Sequence, residues 1–229
     1  MAGRMVRIVT PVLLTGLTLL VSCGQTRSGN AVASDIVPAE NKVSQATKDT
    51  SLLFDGQTLE GWEITNFGPQ GPVSVSGGNI MLGMGDGCTG VTWKGYFPVM
   101  NYEVSLEAKR VSGIDFFCGM TFPVDDSFCS LIVGGWAGNT VGISSINRKD
   151  ASENETTLLR SFETDRWYTI RTKVTPGRIE AWIDDEQVVN LETAGKELSV
   201  RPEVGLSRPF GIASWRTTAA IRNIRLEYI

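Results

Sequence analysis

The sequence predicts an all-β domain, an antiparallel β-sandwich of the jelly-roll class, and three observations lead to that fold. Apolar and polar residues alternate with a period of two in several segments, as in strands with one buried face. Breakers are frequent, with 25 glycines and 9 prolines in 229 residues. No segment sustains a helical period. Many short strands between turn residues are typical of sandwiches and jelly rolls, and the alternation implies antiparallel pairing.

The strand pattern is clearest in the middle of the chain. Residues 102–109 alternate Tyr, Val, Leu and Ala with Glu, Ser, Glu and Lys. Residues 168–174 alternate likewise and lead into Thr-Pro-Gly-Arg at 175–178, a sequence that suits a type II turn. The next strand, 179–189, turns at 184–185. Four residues are predicted to lie in the interior: Leu106, Ile170, Ile183 and Ile224.

The start of the chain has the pattern of a bacterial lipoprotein signal. Basic residues precede a short apolar run, 8–20, and Leu20-Val21-Ser22-Cys23 closes it. This arrangement predicts a signal peptide over 1–22 and lipidation of Cys23, the first mature residue. The alternative is an ordinary cleaved signal with an incidental cysteine.

Residues 24–51 are rich in Ser, Thr, Asn, Ala, Lys and Asp and lack apolar periodicity, so they do not bury enough surface to order themselves. We therefore expect the lipidated cysteine and a flexible linker over 23–51, followed by one domain over 52–229. The acyl chains would tether this domain to a membrane of the bacterial cell envelope, on the periplasmic or the outer-surface side.

Composition excludes several classes of function. The formal net charge is −4, and a basic footprint for nucleic acid is absent. The chain contains no histidine, which excludes Ser-His-Asp and Cys-His catalysis and His-ligated zinc. Acid–base chemistry therefore falls to carboxylates, lysine or tyrosine. Cys88, Cys118 and Cys129 lie among apolar residues, and we favour buried free thiols over a disulfide.

Motifs at both ends of the predicted domain resemble a known family. Leu53-Phe54-Asp55-Gly56 is followed five residues later by Gly61-Trp62, and Arg222-Asn223-Ile224 lies in the last strand. This combination resembles the 3-keto-disaccharide hydrolase family over roughly 52–229. The resemblance implies a concanavalin A-like lectin/glucanase jelly roll. It also implies cleavage of glycosidic bonds in sugars already oxidised at carbon 3.

The resemblance implies candidate catalytic residues. The family has a strand that ends in Glu, an aromatic residue and Arg; Glu107 matches its glutamate and Lys109 replaces its arginine. Asp115 stands near the position of the family's Asn-Ser-Gly. Glu107 would remove the C2 proton from a concave groove, with Lys109 or Arg148 as the electrostatic partner and Asp115 as the next candidate base. The alternative is a solvated cross-strand charge pair.

Other residues are candidates for binding sugar. The family commonly has Gly-Leu-Gln-x-His-Gly before its last strand, whereas 211–216 place alanine for the glutamine and tryptophan for the histidine. Tryptophan and arginine suit stacking on a sugar face and hydrogen bonding to hydroxyls. A second tryptophan lies among glycines, and a polar tract, either a binding rim or a solvated loop, follows at 147–156. The substrate-binding candidates are Trp136, Arg148, Glu155, Trp215 and Arg216.

The sequence is compatible with two functions. We favour a lipid-anchored enzyme that hydrolyses (3-keto-)disaccharides or glycosides; the alternative is a non-catalytic, lectin-like surface lipoprotein that holds glycans. Oxygen-rich loops such as 125–126 leave a divalent metal such as calcium open, with no loop spacing that specifies its ligands. Jelly rolls host both functions, so the fold does not decide between them.

The lipid anchor is directly testable. Replacing Cys23 with Ser removes the sulfur that forms the thioether to diacylglycerol, so Cys23→Ser should be released from membranes or misprocessed. Membrane fractionation and incorporation of labelled palmitate measure this. A serine variant that still partitions with membranes and incorporates palmitate would contradict the anchor.

Overall fold

The computed structural model describes residues 50–229. The predicted signal peptide, Cys23 and nearly all of the linker lie outside the described residues. Most of the described chain is strand, with one short 3-10 helix, Pro202–Ser207. The strands are β1 (Thr50–Leu52), β2 (Trp62–Ile64), β3 (Val73–Ser76), β4 (Asn79–Leu82), β5 (Cys88–Trp93), β6 (Tyr102–Gly113), β7 (Cys118–Val124), β8 (Ser127–Gly135), β9 (Thr140–Ser144), β10 (Leu158–Leu159), β11 (Tyr168–Thr175), β12 (Arg178–Ile183), β13 (Glu186–Glu192), β14 (Gly211–Trp215) and β15 (Thr217–Tyr228).

These strands form two antiparallel sheets. The first sheet has the order β13-β12-β11-β6-β15-β4-β3, with β1 also paired to β15. The second has the order β10-β9-β8-β7-β14-β5-β2. Neighbours within each sheet are often distant in sequence, which is typical of jelly rolls. The predicted all-β antiparallel sandwich is confirmed.

The hydrophobic core lies between the two sheets, as the alternation predicted. Leu106, Ile170, Ile183 and Ile224 are all at most 1% exposed. The predicted turns also form: β11 ends at Thr175 and β12 begins at Arg178. Gly177 has a φ of +75°, which glycine adopts without a steric penalty.

The motif near the start of the domain is part of this core. The Asp55 carboxylate accepts hydrogen bonds from the backbone N–H groups of Gln57 and Thr58, which lower its pKa and fix a tight turn. Trp62 is 7% exposed, and its indole N–H donates to the Leu53 carbonyl at 2.7 Å. The motif is therefore structural.

The second sheet has both faces covered. One face meets the core, and two segments, one between β9 and β10 and one between β13 and the 3-10 helix, fold over part of the other. Asn154 Nδ2 donates to the Ile143 carbonyl at 2.7 Å, and Ser145 and Ser199 exchange backbone hydrogen bonds of 2.6 and 3.1 Å. Thr92 Oγ1 donates to the Leu206 carbonyl at 3.2 Å, which fastens the 3-10 helix to β5. A cavity remains between these segments and the outer face of the sheet.

Within residues 50–229 no helix has the length and apolarity needed to cross a bilayer.

Cys88, Cys118 and Cys129 are buried free thiols, as expected. Burial raises the pKa of Cys118 to about 12, so this thiol stays protonated and unreactive.

Truncation of a core side chain tests the architecture. Ile170 is fully buried between the sheets. Ile170→Ala should lower the free energy of unfolding by about 2–5 kcal/mol, because transfer energy is lost and a cavity remains. Urea denaturation followed by far-UV circular dichroism measures this. A cost near zero, or a helix-dominated spectrum, would contradict the sandwich.

Candidate functional site

A cavity of about 190 Å³ opens on the outer face of the second sheet, on the side away from the core. Five of its nine lining side chains are apolar or aromatic, and three are charged. Such a mixture is typical of sites in which a few polar groups orient a ligand over apolar walls. The lining residues are Asp115, Phe116, Ile132, Trp136, Ser144, Arg201, Glu203, Val204 and Trp215.

The alternation of side chains along strands explains why residues of the second sheet line the cavity. Successive side chains of a strand point to opposite faces. Leu131 and Val133 of β8 belong to the core cluster, so Ile132 between them points outward. Likewise Ile212 of β14 faces the core, which turns Trp215 outward three residues later.

Asp115 enters the cavity from the loop between β6 and β7. Its backbone N–H donates to Thr217 Oγ1 at 3.1 Å, and its Oδ1 accepts from the Phe116 N–H at 2.7 Å. The Phe116 carbonyl in turn accepts from the Trp215 N–H at 3.0 Å. Within the described chain, Oδ2 of Asp115 has no hydrogen-bond partner, so this oxygen is available to a ligand.

Trp136 lies on the turn between β8 and β9, on a wall formed by a different connection. Trp136 and Ala137 have φ values of +44° and +68°, and Gly134 and Gly138 flank them at +76° and +99°. This left-handed stretch lifts the indole out of the sheet, and Trp136 is 36% exposed. A partly exposed indole offers a flat apolar face of the kind that stacks on a sugar ring.

Arg201 and Glu203, at the start of the 3-10 helix, contribute the polar wall. Arg201 Nη2 donates to Glu203 Oε1 at 2.8 Å and Nη1 donates to Asp150 Oδ2 at 2.6 Å. The hydrogen bond from Arg201 is the main reason that the pKa of Glu203 lies below its ordinary value. Glu203 is therefore held ionised.

Cys88 lies close to this charged region. It pairs with Trp215 across β5 and β14, and it is 3% exposed. Burial, followed by the negative charges of Glu203 and Asp115, raises the pKa of Cys88 to about 12. The two cavity carboxylates thus add to the effect of burial on the pKa of the Cys88 thiol, which remains neutral.

Glu107 and Lys109 do not line this cavity, and their predicted place in a sugar groove stays a prediction. Both side chains point from β6 to the outer face of the first sheet. Glu107 Oε2 accepts from Arg222 Nε at 2.7 Å and Oε1 accepts from Asn223 Nδ2 at 2.7 Å. Lys109 forms an ion pair with Asp165 at 3.1 Å. Both oxygens of Glu107 are thus engaged by scaffold residues.

Electrostatic interactions explain why the Glu107 carboxylate stays ionised and bound to β15. Burial acts to raise the pKa of Glu107, but hydrogen bonds from Asn223 and Arg222 and the charge of Arg222 outweigh it, so the pKa lies below its ordinary value. The Arg222 guanidinium also stacks 4.0 Å from the centroid of the Trp167 ring. This arrangement fastens the final strand to β6 and weakens the basicity of the carboxylate.

Three other sequence candidates lie apart from the cavity lining. Arg148 forms an ion pair with Glu197 at 3.4 Å, and its side chain is 84% exposed. Glu155 accepts from Lys196, and Arg216 donates to Asp86 at 2.6 Å. The structure brings together Asp115, Trp136 and Trp215, whose roles in catalysis and binding remain predictions.

Sequence reasoning missed two thirds of the cavity. Arg201 and Glu203 follow an unremarkable polar stretch, and only their i, i+2 charge pairing next to a proline hints at a fixed structure. The apolar lining residues look like ordinary strand residues. The missed residues are Phe116, Ile132, Ser144, Arg201, Glu203 and Val204.

Within 50–229 no group of three or more cysteine, aspartate or glutamate side chains is arranged to hold a metal ion. The cavity's glutamate is already paired with Arg201. The turn at 125–126 lines a second, larger depression of about 380 Å³, which has no aromatic side chain in its lining. The aromatic cavity is therefore the better candidate for a sugar site.

The structure is a jelly-roll sandwich with an aromatic cavity on the outer face of one sheet. Residues 49–227 match the family model of the 3-keto-alpha-glucoside-1,2-lyase-like domain, and this chain belongs to that family. The resemblance of its terminal motifs to the 3-keto-disaccharide hydrolases is thereby confirmed. No curated protein sequence matches the chain.

Solved structures of carbohydrate-active proteins share the fold. A Crh5 transglycosylase in complex with NAG is 14% identical, with a TM-score of 0.55, and the alignment covers 80% of this chain and 84% of that one. A β-glucanase from Bacillus licheniformis is 10% identical with a TM-score of 0.54, covering 81% and 99%. At these identities the likeness shows the fold alone.

The structural role of Glu107 has a pH signature. Because its folded pKa is lowered, its ion pair stabilises the protein above the ordinary value of 4.5 and this stability is lost as the pH falls through the folded pKa. Glu107→Gln should cost about 1 kcal/mol at pH 7, the upper end for a partly exposed pair, and progressively less in acid. Thermal melts across pH measure the difference.

The same variant should leave sugar binding and turnover unchanged, since Glu107 lies on the other sheet. A large loss of turnover with an unaltered melting curve would return the general base to Glu107.

Proposed function

We propose that the cavity binds one ring of a glycoside oxidised at carbon 3 and that Asp115 removes the proton at C2. The observation behind this is the free oxygen of Asp115 in a cavity lined by Trp136 and Trp215. A volume of about 190 Å³ suits a single sugar ring better than a longer glycan. The rest of the substrate would extend out of the opening.

The ionised state of the cavity carboxylate Glu203 favours elimination over direct hydrolysis. A classical glycosidase needs one protonated carboxylic acid and one carboxylate. Arg201 lowers the pKa of Glu203, so this group is a poor general acid near neutral pH. Elimination from a 3-keto sugar begins instead with a base, because the ketone acidifies the adjacent C2–H. The lyase-like description of the family agrees with such a first step.

The proposed reaction is an elimination followed by the addition of water. Asp115 takes the C2 proton, and the electron pair of the broken C–H bond forms the C2=C3 double bond of an enolate whose negative charge lies on the C3 oxygen. When the C3=O bond re-forms, the C2=C3 electron pair makes the C1=C2 double bond and the C1–O bond breaks. The departing oxygen is protonated by solvent. Addition of water across the double bond completes a net hydrolysis. The guanidinium of Arg201, on the cavity wall, stabilises the negative charge that develops on the C3 oxygen.

A second candidate is sugar binding without turnover. The ion pair between Arg201 and Glu203 favours it, because it leaves Asp115 as the single cavity carboxylate without an ion pair in the described chain. In that case the two indoles supply affinity and Asp115 accepts a hydrogen bond from a hydroxyl.

The N-terminal pattern supports a proposal for where this activity takes place. We propose that the domain works outside the cytoplasm, tethered through a lipid on Cys23. The support is the apolar run that ends in Leu20-Val21-Ser22-Cys23, followed by a polar stretch of linker composition. A tether would keep a sugar-processing site at the cell envelope, where glycans are encountered.

Amide substitution of Asp115 tests the proposed base. Asp115→Asn keeps the shape and the hydrogen bond to Phe116 but removes basicity, so turnover of a 3-keto-α-glucosyl disaccharide should fall roughly 100-fold or more. Release of free sugar, with the unoxidised disaccharide as a blank, measures it. Glu107→Gln is the matched carboxylate control and should retain the wild-type rate.

Trp215→Ala separates binding from catalysis. It should weaken binding of the keto sugar by about 1–3 kcal/mol, as for an aromatic anchor in a pocket. Calorimetric binding to wild-type protein without any sugar release would favour the second candidate. Equal turnover by wild type and Asp115→Asn would exclude Asp115 as the base.

A further inference from the structure

Arg110 is a buried cation near the end of β6, where it points into the protein. It is 7% exposed, whereas Lys109 beside it points outward. Burial of a guanidinium is costly unless its donors are well paired. Burial accordingly acts to lower the pKa of Arg110, while the charge of Asp115 opposes this. Core packing alone does not explain an arginine at this position.

The hydrogen bonds of Arg110 link two separate loops. Nη2 lies 2.9 Å from the Gly138 carbonyl, 3.4 Å from that of Gly134 and 3.3 Å from that of Asp115. The first two carbonyls belong to the turn that carries Trp136. The third belongs to the loop between β6 and β7. One side chain from the first sheet therefore contacts both loops that project a cavity residue.

The glycines of the turn make this contact possible. A Cβ at Gly134 would lie 2.7 Å from Arg110 Nη2, and one at Gly138 would lie 3.3 Å from the same atom. Both glycines have positive φ values, so the turn also needs them for its backbone conformation. The guanidinium additionally lies 5.3 Å from the centroid of the Phe117 ring. The arginine thus occupies a space that the turn leaves for it.

We propose that Arg110 is the positioning residue of the cavity: its guanidinium holds the loop of Asp115 and the turn of Trp136 at a fixed separation. Its importance for sugar chemistry rests on the proposed function, but its effect on the two loops does not. All three contacts come from one nitrogen, Nη2, whereas the buried Nε of Arg110 has no hydrogen-bond partner in the described chain. Arg110 touches no reacting atom in this scheme.

Hydrogen exchange on the full chain tests the positioning. Arg110→Met keeps much of the buried volume and removes the donors. The amides of Gly138 and Asn139, which donate to the Gly135 carbonyl, should then exchange about tenfold faster, the scale of one lost hydrogen bond. Strands β6, β11 and β15 should exchange as in wild type. Arg110→Lys should restore part of the protection.

Arg171→Met is the matched control, because Arg171 lies on the outer face of the first sheet, paired with Glu103 and stacked on Trp182. It should leave both loops unchanged. Wild-type exchange of the loops in Arg110→Met, or a uniform increase throughout both sheets, would overturn the proposal. Should the methionine variant not fold, Arg110→Lys decides, with faster exchange confined to the two loops as the expected result.

Kinetics separate this proposal from the proposed function. With the 3-keto disaccharide, Arg110→Met should both lower kcat and raise KM, since Asp115 and Trp136 both shift, and lysine should rescue part of each. Opened loops with unchanged kinetics would refute the positioning role in catalysis. If wild-type protein neither binds nor cleaves the sugar, the proposed function fails, while hydrogen exchange still decides whether Arg110 holds the loops.

Discussion

The pairing of β6 with β15 is the constraint on which the rest of the structure depends. These two twelve-residue strands run side by side from Tyr102 and Tyr228 to Gly113 and Thr217. The first strand of the domain joins the same ladder, so both terminal motifs are fastened to it. A bulge interrupts the register after Arg222, where Glu107 accepts hydrogen bonds from two side chains of β15. The outward-pointing Glu107 of β6 thus helps to fix the register between β6 and β15. The inward-pointing Arg110 of the same strand contacts the cavity loops.

The charged groups of the cavity differ in their pairing. Arg201 sits between Glu203 and Asp150 and links the 3-10 helix to the loop after β9. That contact closes one wall, and it also keeps Glu203 ionised. Asp115 comes from the opposite connection and retains a free oxygen. The proposed function uses one base and two indoles in place of the two carboxylates of a glycosidase, although the sandwich around the cavity is shared with a β-glucanase.

Local patterns predicted the fold well because a strand's alternation reports burial directly. Leu106, Ile170, Ile183 and Ile224 are buried as predicted, and the Pro-Gly turn ends its strand at the expected place. The same rule correctly turned Glu107 away from the core. It did not reveal that the cavity lies on the outer face of the other sheet, since alternation distinguishes inside from outside and carries no information about which sheet faces a ligand.

The sequence by itself determined the strands, their buried faces, the family and the absence of histidine chemistry, because these depend on residue type and on spacing over a few positions. Trp136 was also recognisable by its glycine neighbours, and Asp115 and Trp215 by their places in the family's motifs. Only the tertiary structure decided that they share one cavity with Arg201 and Glu203, which are far away in the chain. Their proximity arises from pairing between strands distant in sequence and from loops folded over a sheet, and no local period encodes either.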